Sequence, residues 1–109
     1  MKTISAQELK EKIDSGDDFE FIDVLDKSSF ESKHIPKSKS IPLNELGDRS
    51  DQELPDKDNE VIVYCASTEC QASPNAAKKL EEMGYTNVVD FDSGLDGWQE
   101  AGYEFDSKD

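Results

Sequence analysis

The chain has 109 residues, the size of one small domain, and its five Phe, three Tyr and one Trp suffice for one compact core, which excludes a wholly disordered chain. Its 26 acidic against 12 basic residues give a formal charge of -14, and so acidic a surface repels phosphate backbones and anionic lipid headgroups. Neither nucleic acid nor a membrane is expected as a partner.

Ser5 followed by Glu8 reads as a capping box, and Leu9 and Ile13 give the helix after it one apolar edge until Gly16. Phe19 to Val24 reads as a strand entering a core, with Asp23 at its C-terminal end. Asp26 can cap a single turn containing Phe30. His34-Ile35-Pro36 closes that piece before a short extended stretch, Ser38 to Ile41, which Pro42 stops. Between Asn44 and Asn59 only Leu46 and Leu54 are apolar, so a surface connection with one helical turn is expected.

Val61-Ile62-Val63-Tyr64 is a continuous β-prone run, as in a strand buried on both faces of a parallel sheet. It is the expected central strand. Ser73-Pro74 puts a preferred N-cap residue before a proline at the first helical position, and Ala76, Ala77, Leu80 and Met83 line one face of the helix, which Gly84 ends. Val88 and Val89 form the last strand, and Gly94 to Trp98 leads into a short final helix, with Trp98 assigned to the core. Strands alternating with helices predict an α/β fold of one domain over residues 1–109, a parallel sheet flanked by helices on both faces.

The longest apolar run, Val61 to Ala66, is far short of the roughly 20 residues that a membrane-spanning helix needs. Met1-Lys2-Thr3-Ile4-Ser5 lacks the apolar core of a signal peptide, so a cytoplasmic location is expected. In a reducing compartment Cys65 and Cys70 are expected to serve chemistry rather than a structural disulfide. Two thiolates fall short of four zinc ligands, so no metal and no cofactor is called for.

Cys65 directly follows the buried strand and precedes a helix whose N-terminus should point back at it. Unpaired N–H groups and the positive end of the helix dipole favour a thiolate or an oxyanion there. That makes Cys65 the nucleophile candidate; the alternative is a buried residue that merely ends its strand.

Phe21-Ile22-Asp23-Val24, then Phe30 through His34-Ile35-Pro36 to Ser40-Ile41-Pro42-Leu43, then Val61 to Cys65, then Ser73 with Ala76-Ala77 and Leu80, and finally Gly84-Tyr85, Asn87-Val88 and Gly94 to Trp98 form an ordered set. The set resembles the single-domain rhodanese-like family over almost the whole chain. The resemblance implies the rhodanese fold and a sulfurtransferase chemistry, in which Cys65 takes up sulfane sulfur as a persulfide and passes it to a thiophilic acceptor. Donor and acceptor are expected to be small molecules or proteins. A different class of function, a non-catalytic or redox-sensing binding module using the Cys65/Cys70 loop, is the alternative.

The departures from the family pattern bear on that chemistry. The substrate-binding loop, Ala66, Ser67, Thr68, Glu69, Gln71, Ala72 and Ser73 around Cys70, is two residues longer than usual, with no glycine and no basic residue. Glu69 stands where thiosulfate-using members help to hold the donor's charge, which leaves thiosulfate only one of several candidate donors. Leu25 replaces a common arginine, removing a partner for Asp23, the candidate orienting carboxylate. Phosphatases of this fold use a cysteine followed by five residues and an arginine, whose planar fork holds the phosphoryl group, and the single arginine here is Arg49. Cys70, five positions after Cys65, is a candidate resolving thiol for a persulfide or sulfenic acid, or else a bystander. His34 is assigned to shaping the turn before Pro36.

Overall fold

The computed structural model describes residues 2–107. Five strands, β1 (Lys2–Thr3), β2 (Glu20–Asp23), β3 (Lys39–Ser40), β4 (Val61–Tyr64) and β5 (Val88–Phe91), form one sheet in the order β1-β5-β4-β2-β3. Every pairing is parallel. The Val-Ile-Val-Tyr run is therefore the middle strand, buried along its whole length.

Alternation along the strands feeds two cores. On one face Ile22, Val24, Val61, Val63 and Val88 meet α3 (Leu46–Glu53) and α4 (Ala72–Glu82). On the other, Phe21, Ile62, Tyr64, Val89 and Phe91 meet α1 (Ala6–Ser15) and α5 (Gly94–Glu100), with Trp98 buried among them. The three-layer α/β arrangement expected from the sequence is thus present. No helix among the described residues is long and apolar enough to cross a membrane.

The local signals act as read at several points. Ser5 and Glu8 complete the capping box of α1, and Asp26 accepts from the Ser29 N–H at the start of α2 (Lys27–Ser32).

Two elements depart from expectation. The Asn44–Asn59 connection holds a 3-10 turn (Leu43–Glu45) and the two-turn helix α3, rather than one turn on the surface. Leu46, Ser50 and Leu54, four residues apart, are buried together, and the Tyr85 hydroxyl donates to the Leu54 carbonyl at 2.7 Å while lying 3.1 Å from that of Ser50. The Ser50 carbonyl already accepts the Leu54 N–H, so the distant tyrosine supplies a partner for the Leu54 carbonyl just past the helix end. The second departure is β1, which no apolar pattern announces and which exists through its pairing with β5.

Candidate active site

Cys65 leaves β4 fully buried at the C-terminal edge of the sheet, with its side chain in the core beneath α4. Its backbone is clamped by the start of α5: the Leu95 N–H donates to the Cys65 carbonyl at 3.0 Å and the Asp96 N–H to the Ala66 carbonyl at 2.9 Å. Gly94 lies directly beneath, at φ +60°, and a Cβ there would meet the Cys65 oxygen at 2.2 Å. Only glycine fits both the backbone angle and the space.

The next residues arch over the sulfur. Ala66 and Ser67 are half-buried, Thr68, Glu69 and Gln71 are exposed, and a turn closed by the Cys70 N–H on the Ser67 carbonyl (3.1 Å) brings the chain back. The Cys65 thiol donates to the Cys70 carbonyl at 3.6 Å. Both cysteines are free thiols, Cys65 buried and Cys70 half-buried.

Ser73 corrects one expectation. Helix α4 starts at Ala72, so Ser73 is its second residue and not its N-cap, and Pro74 is its third. Proline is tolerated anywhere in a first turn because those N–H groups have no intrahelical partner. One of these free groups, the Ser73 N–H, donates to Cys65 Sγ at 3.4 Å. The freed Ser73 hydroxyl is buried without a hydrogen-bond partner of good geometry, and so is Oδ1 of Asp90, a residue of β5. Asp90 was not singled out in the sequence; an acid inside the apolar run Val88-Val89-Asp90-Phe91 was the available signal.

The electrostatics divide the two thiols. Burial pushes Cys65 up, Cys70 adds to this, and the Ser73 hydroxyl and N–H only partly offset it. Burial also opposes a Cys70 thiolate, but the Cys65 thiol and the amides of Ala66, Ala72 and Ser73 outweigh it, leaving Cys70 below its ordinary value. Of the two thiols, Cys70 is therefore the one that gives up its proton more readily. The Asp90 carboxyl is raised by burial, with a smaller lowering from the Ser73 hydroxyl.

The structure keeps other residues apart from this pair. Asp23 and Tyr64 are register partners, and the Asp23 carboxylate accepts from the Leu25 N–H at 2.8 Å while its second oxygen is buried and unpaired. Burial raises the Asp23 carboxyl, with the Leu25 N–H, the Tyr64 hydroxyl and His34 opposing. The Leu25 backbone thus serves Asp23 where the side chain cannot. His34 stacks on Phe30 at 3.9 Å, shares its Nδ1 with the Phe30 carbonyl at 2.8 Å and bridges Asp106 through the backbone. Arg49 is held on α3 by Glu45 and Glu53. Among the described residues no three His, Cys, Asp or Glu side chains converge as metal ligands would. Clefts of about 340 Å³, beside Phe30 and Arg49, and about 530 Å³, beside Trp98 and Tyr103, include neither cysteine. Cavity size is a poorer guide here than thiol chemistry.

Comparison with known proteins gives a consistent picture. The family model described as Rhodanese-like domain matches residues 5–101. The chain is 30% identical over 99 residues to the "Putative sulfurtransferase YtwF" of Bacillus subtilis, covering 91% of each. It is 32% identical over 95 residues to the "Putative sulfur carrier protein YrkF" of the same organism, covering 87% of this chain and 49% of that one. The chain spans half or less of the length of several curated relatives that it matches. Among solved structures, the rhodanese-like domain of an Anabaena protein superposes with a TM-score of 0.87 at 27% identity, covering 98% of this chain and 80% of that one.

Proposed function

Because the chain belongs to the rhodanese-like domain family, we propose that it is a sulfurtransferase that carries sulfane sulfur as a persulfide on Cys65. The observation that carries this reading is the Ser73 N–H on Cys65 Sγ at 3.4 Å, at the start of an eleven-residue helix. That donor and the helix dipole favour negative charge where the thiolate attacks and where the persulfide anion then sits. Relatives named as sulfurtransferases, and one named as a sulfur carrier, support transfer over the non-catalytic or redox-sensing alternative.

In the reaction, Cys65 gives up its proton, attacks the outer sulfur of the donor and displaces the donor's remainder as an anion; a thiol acceptor then removes that sulfur. Cys65 itself is buried, so the loop must yield for a donor to reach it. The loop offers a dianion no basic side chain, and Glu69 stands exposed on it. A donor of lower charge, or a persulfide on a small molecule or protein, suits it better than thiosulfate.

Intact-protein and peptide mass spectrometry after exposure to thiosulfate or to a small-molecule persulfide tests the reading. The expected adduct is about 32 Da, one sulfur atom, confined to Cys65 and absent from Cys65→Ser. Undiminished sulfur transfer by a folded Cys65→Ser protein would remove Cys65 from the mechanism.

A further inference from the structure

A persulfide carrier needs one cysteine, and this loop places a second against the first. The turn from Ser67 to Cys70 folds the loop back so that the Cys65 thiol meets the Cys70 carbonyl at 3.6 Å. Cys70 is the more exposed of the two, and the amides of Ala66, Ala72 and Ser73 favour negative charge on its sulfur. The sequence spacing of five permits closure to the roughly 4.4–6.8 Å between Cα atoms that a disulfide needs.

Resting on the persulfide reading above, we propose that Cys70 resolves the Cys65 persulfide, so that the protein releases sulfane sulfur as hydrosulfide and is reset by a dithiol reductant. Cys70 passes its thiol proton to the outer sulfur of the persulfide anion and, as the thiolate, attacks Cys65 Sγ. The bond from Sγ to the outer sulfur breaks, and its electron pair leaves with that sulfur as HS⁻. A Cys65–Cys70 disulfide forms: counted over loading and resolution, two cysteine sulfurs each lose one electron and the sulfane sulfur gains two. A dithiol reopens the bridge by two successive exchanges and ends as a disulfide itself, which restores both thiols. Because α4 begins only at Ala72, Cys70 lies in the turn before it and can approach Cys65 without unwinding the helix.

The test compares the reduced full chain with Cys70→Ser and Cys70→Ala after loading with inorganic polysulfide and rapid desalting. Wild type should appear about 2 Da lighter than the reduced chain, with a Cys65–Cys70 peptide link and about one sulfide released per chain. Both variants should retain the 32 Da adduct on residue 65, decaying about 10-fold or more slowly. Adding a dithiol should return wild type to its reduced mass and permit a second round. A wild-type adduct as long-lived as the variants', or no Cys65–Cys70 link in wild type, overturns the resolving role alone. No adduct in the variants and no sulfide from wild type overturns the persulfide reading and this inference with it. The wild-type measurements decide the matter even if a variant folds poorly.

Discussion

Gly94 and Cys65 are packed backbone to backbone: a methyl group at 94 would lie 2.2 Å from the Cys65 carbonyl oxygen, and the next residue, Leu95, donates its N–H to that oxygen. The nucleophile's position is thus set by the beginning of α5, not only by its own strand.

Gly94→Ala should therefore damage both fold and site. The alanine must accept a left-handed φ and displace main chain that cannot move cheaply, at a cost of about 2–5 kcal/mol. At roughly 4–8 °C per kcal/mol for a domain of this size, calorimetry should show a fall in Tm of about 10 °C or more. Unchanged Tm would mean that α5 does not hold the loop as described.

The two thiols should titrate apart. Burial and Cys70 both hold Cys65 above its ordinary value, so its thiolate is scarce at neutral pH and its alkylation rate should climb with pH well past that of Cys70. Cys70→Ser removes the Cys70 contribution while burial remains, so the Cys65 midpoint should move part of the way to lower pH. Rates of iodoacetamide labelling followed by peptide mapping check this, and a midpoint that rises in the variant would contradict it.

Asp90 gives a stability prediction of definite sign. Its native carboxyl is raised above the ordinary 3.8, because burial opposes the charge. The folded chain thus holds a proton that the unfolded chain has lost, and this contribution to stability is full below about that ordinary value and fades as pH rises through the native one. Asp90→Asn keeps the shape, removes the charge and can donate to the unpaired Ser73 hydroxyl. Urea denaturation should show a gain of about 1–3 kcal/mol at pH 7, shrinking towards pH 3. A loss at pH 7 would show that the carboxylate has a partner that the geometry does not reveal.

Glu69 tests the donor. Glu69→Gln should raise kcat/KM for thiosulfate, and Glu69→Arg should raise it further, by about 10-fold if about 1.4 kcal/mol of transition-state stabilisation is gained. Since the residue is exposed, the gain should shrink with added salt. Three proteins of equal rate across a salt series would mean that the carboxylate faces away from the donor.

Much of this protein is written in short-range pattern. The Val61–Tyr64 run reads as a middle strand because a strand covered on both faces has no polar positions, and the Ser5–Glu8 box and Asp26 act within one turn of chain. Cys65 at the end of that strand, and its family, follow from residue order alone. Other features are decided by residues far apart in sequence. Tyr85, more than thirty residues away, pins the end of α3 by donating to the carbonyl of Leu54 just past it, and β1 exists only beside β5. Ser73 looked like a cap because its residue type caps locally. Its N–H instead meets the sulfur of Cys65 while its hydroxyl is sealed beside Asp90, and that choice belongs to the packing of α4 on the sheet. The division of charge between Cys65 and Cys70 is likewise tertiary, since identical side chains differ here only in burial and in the amides that reach them.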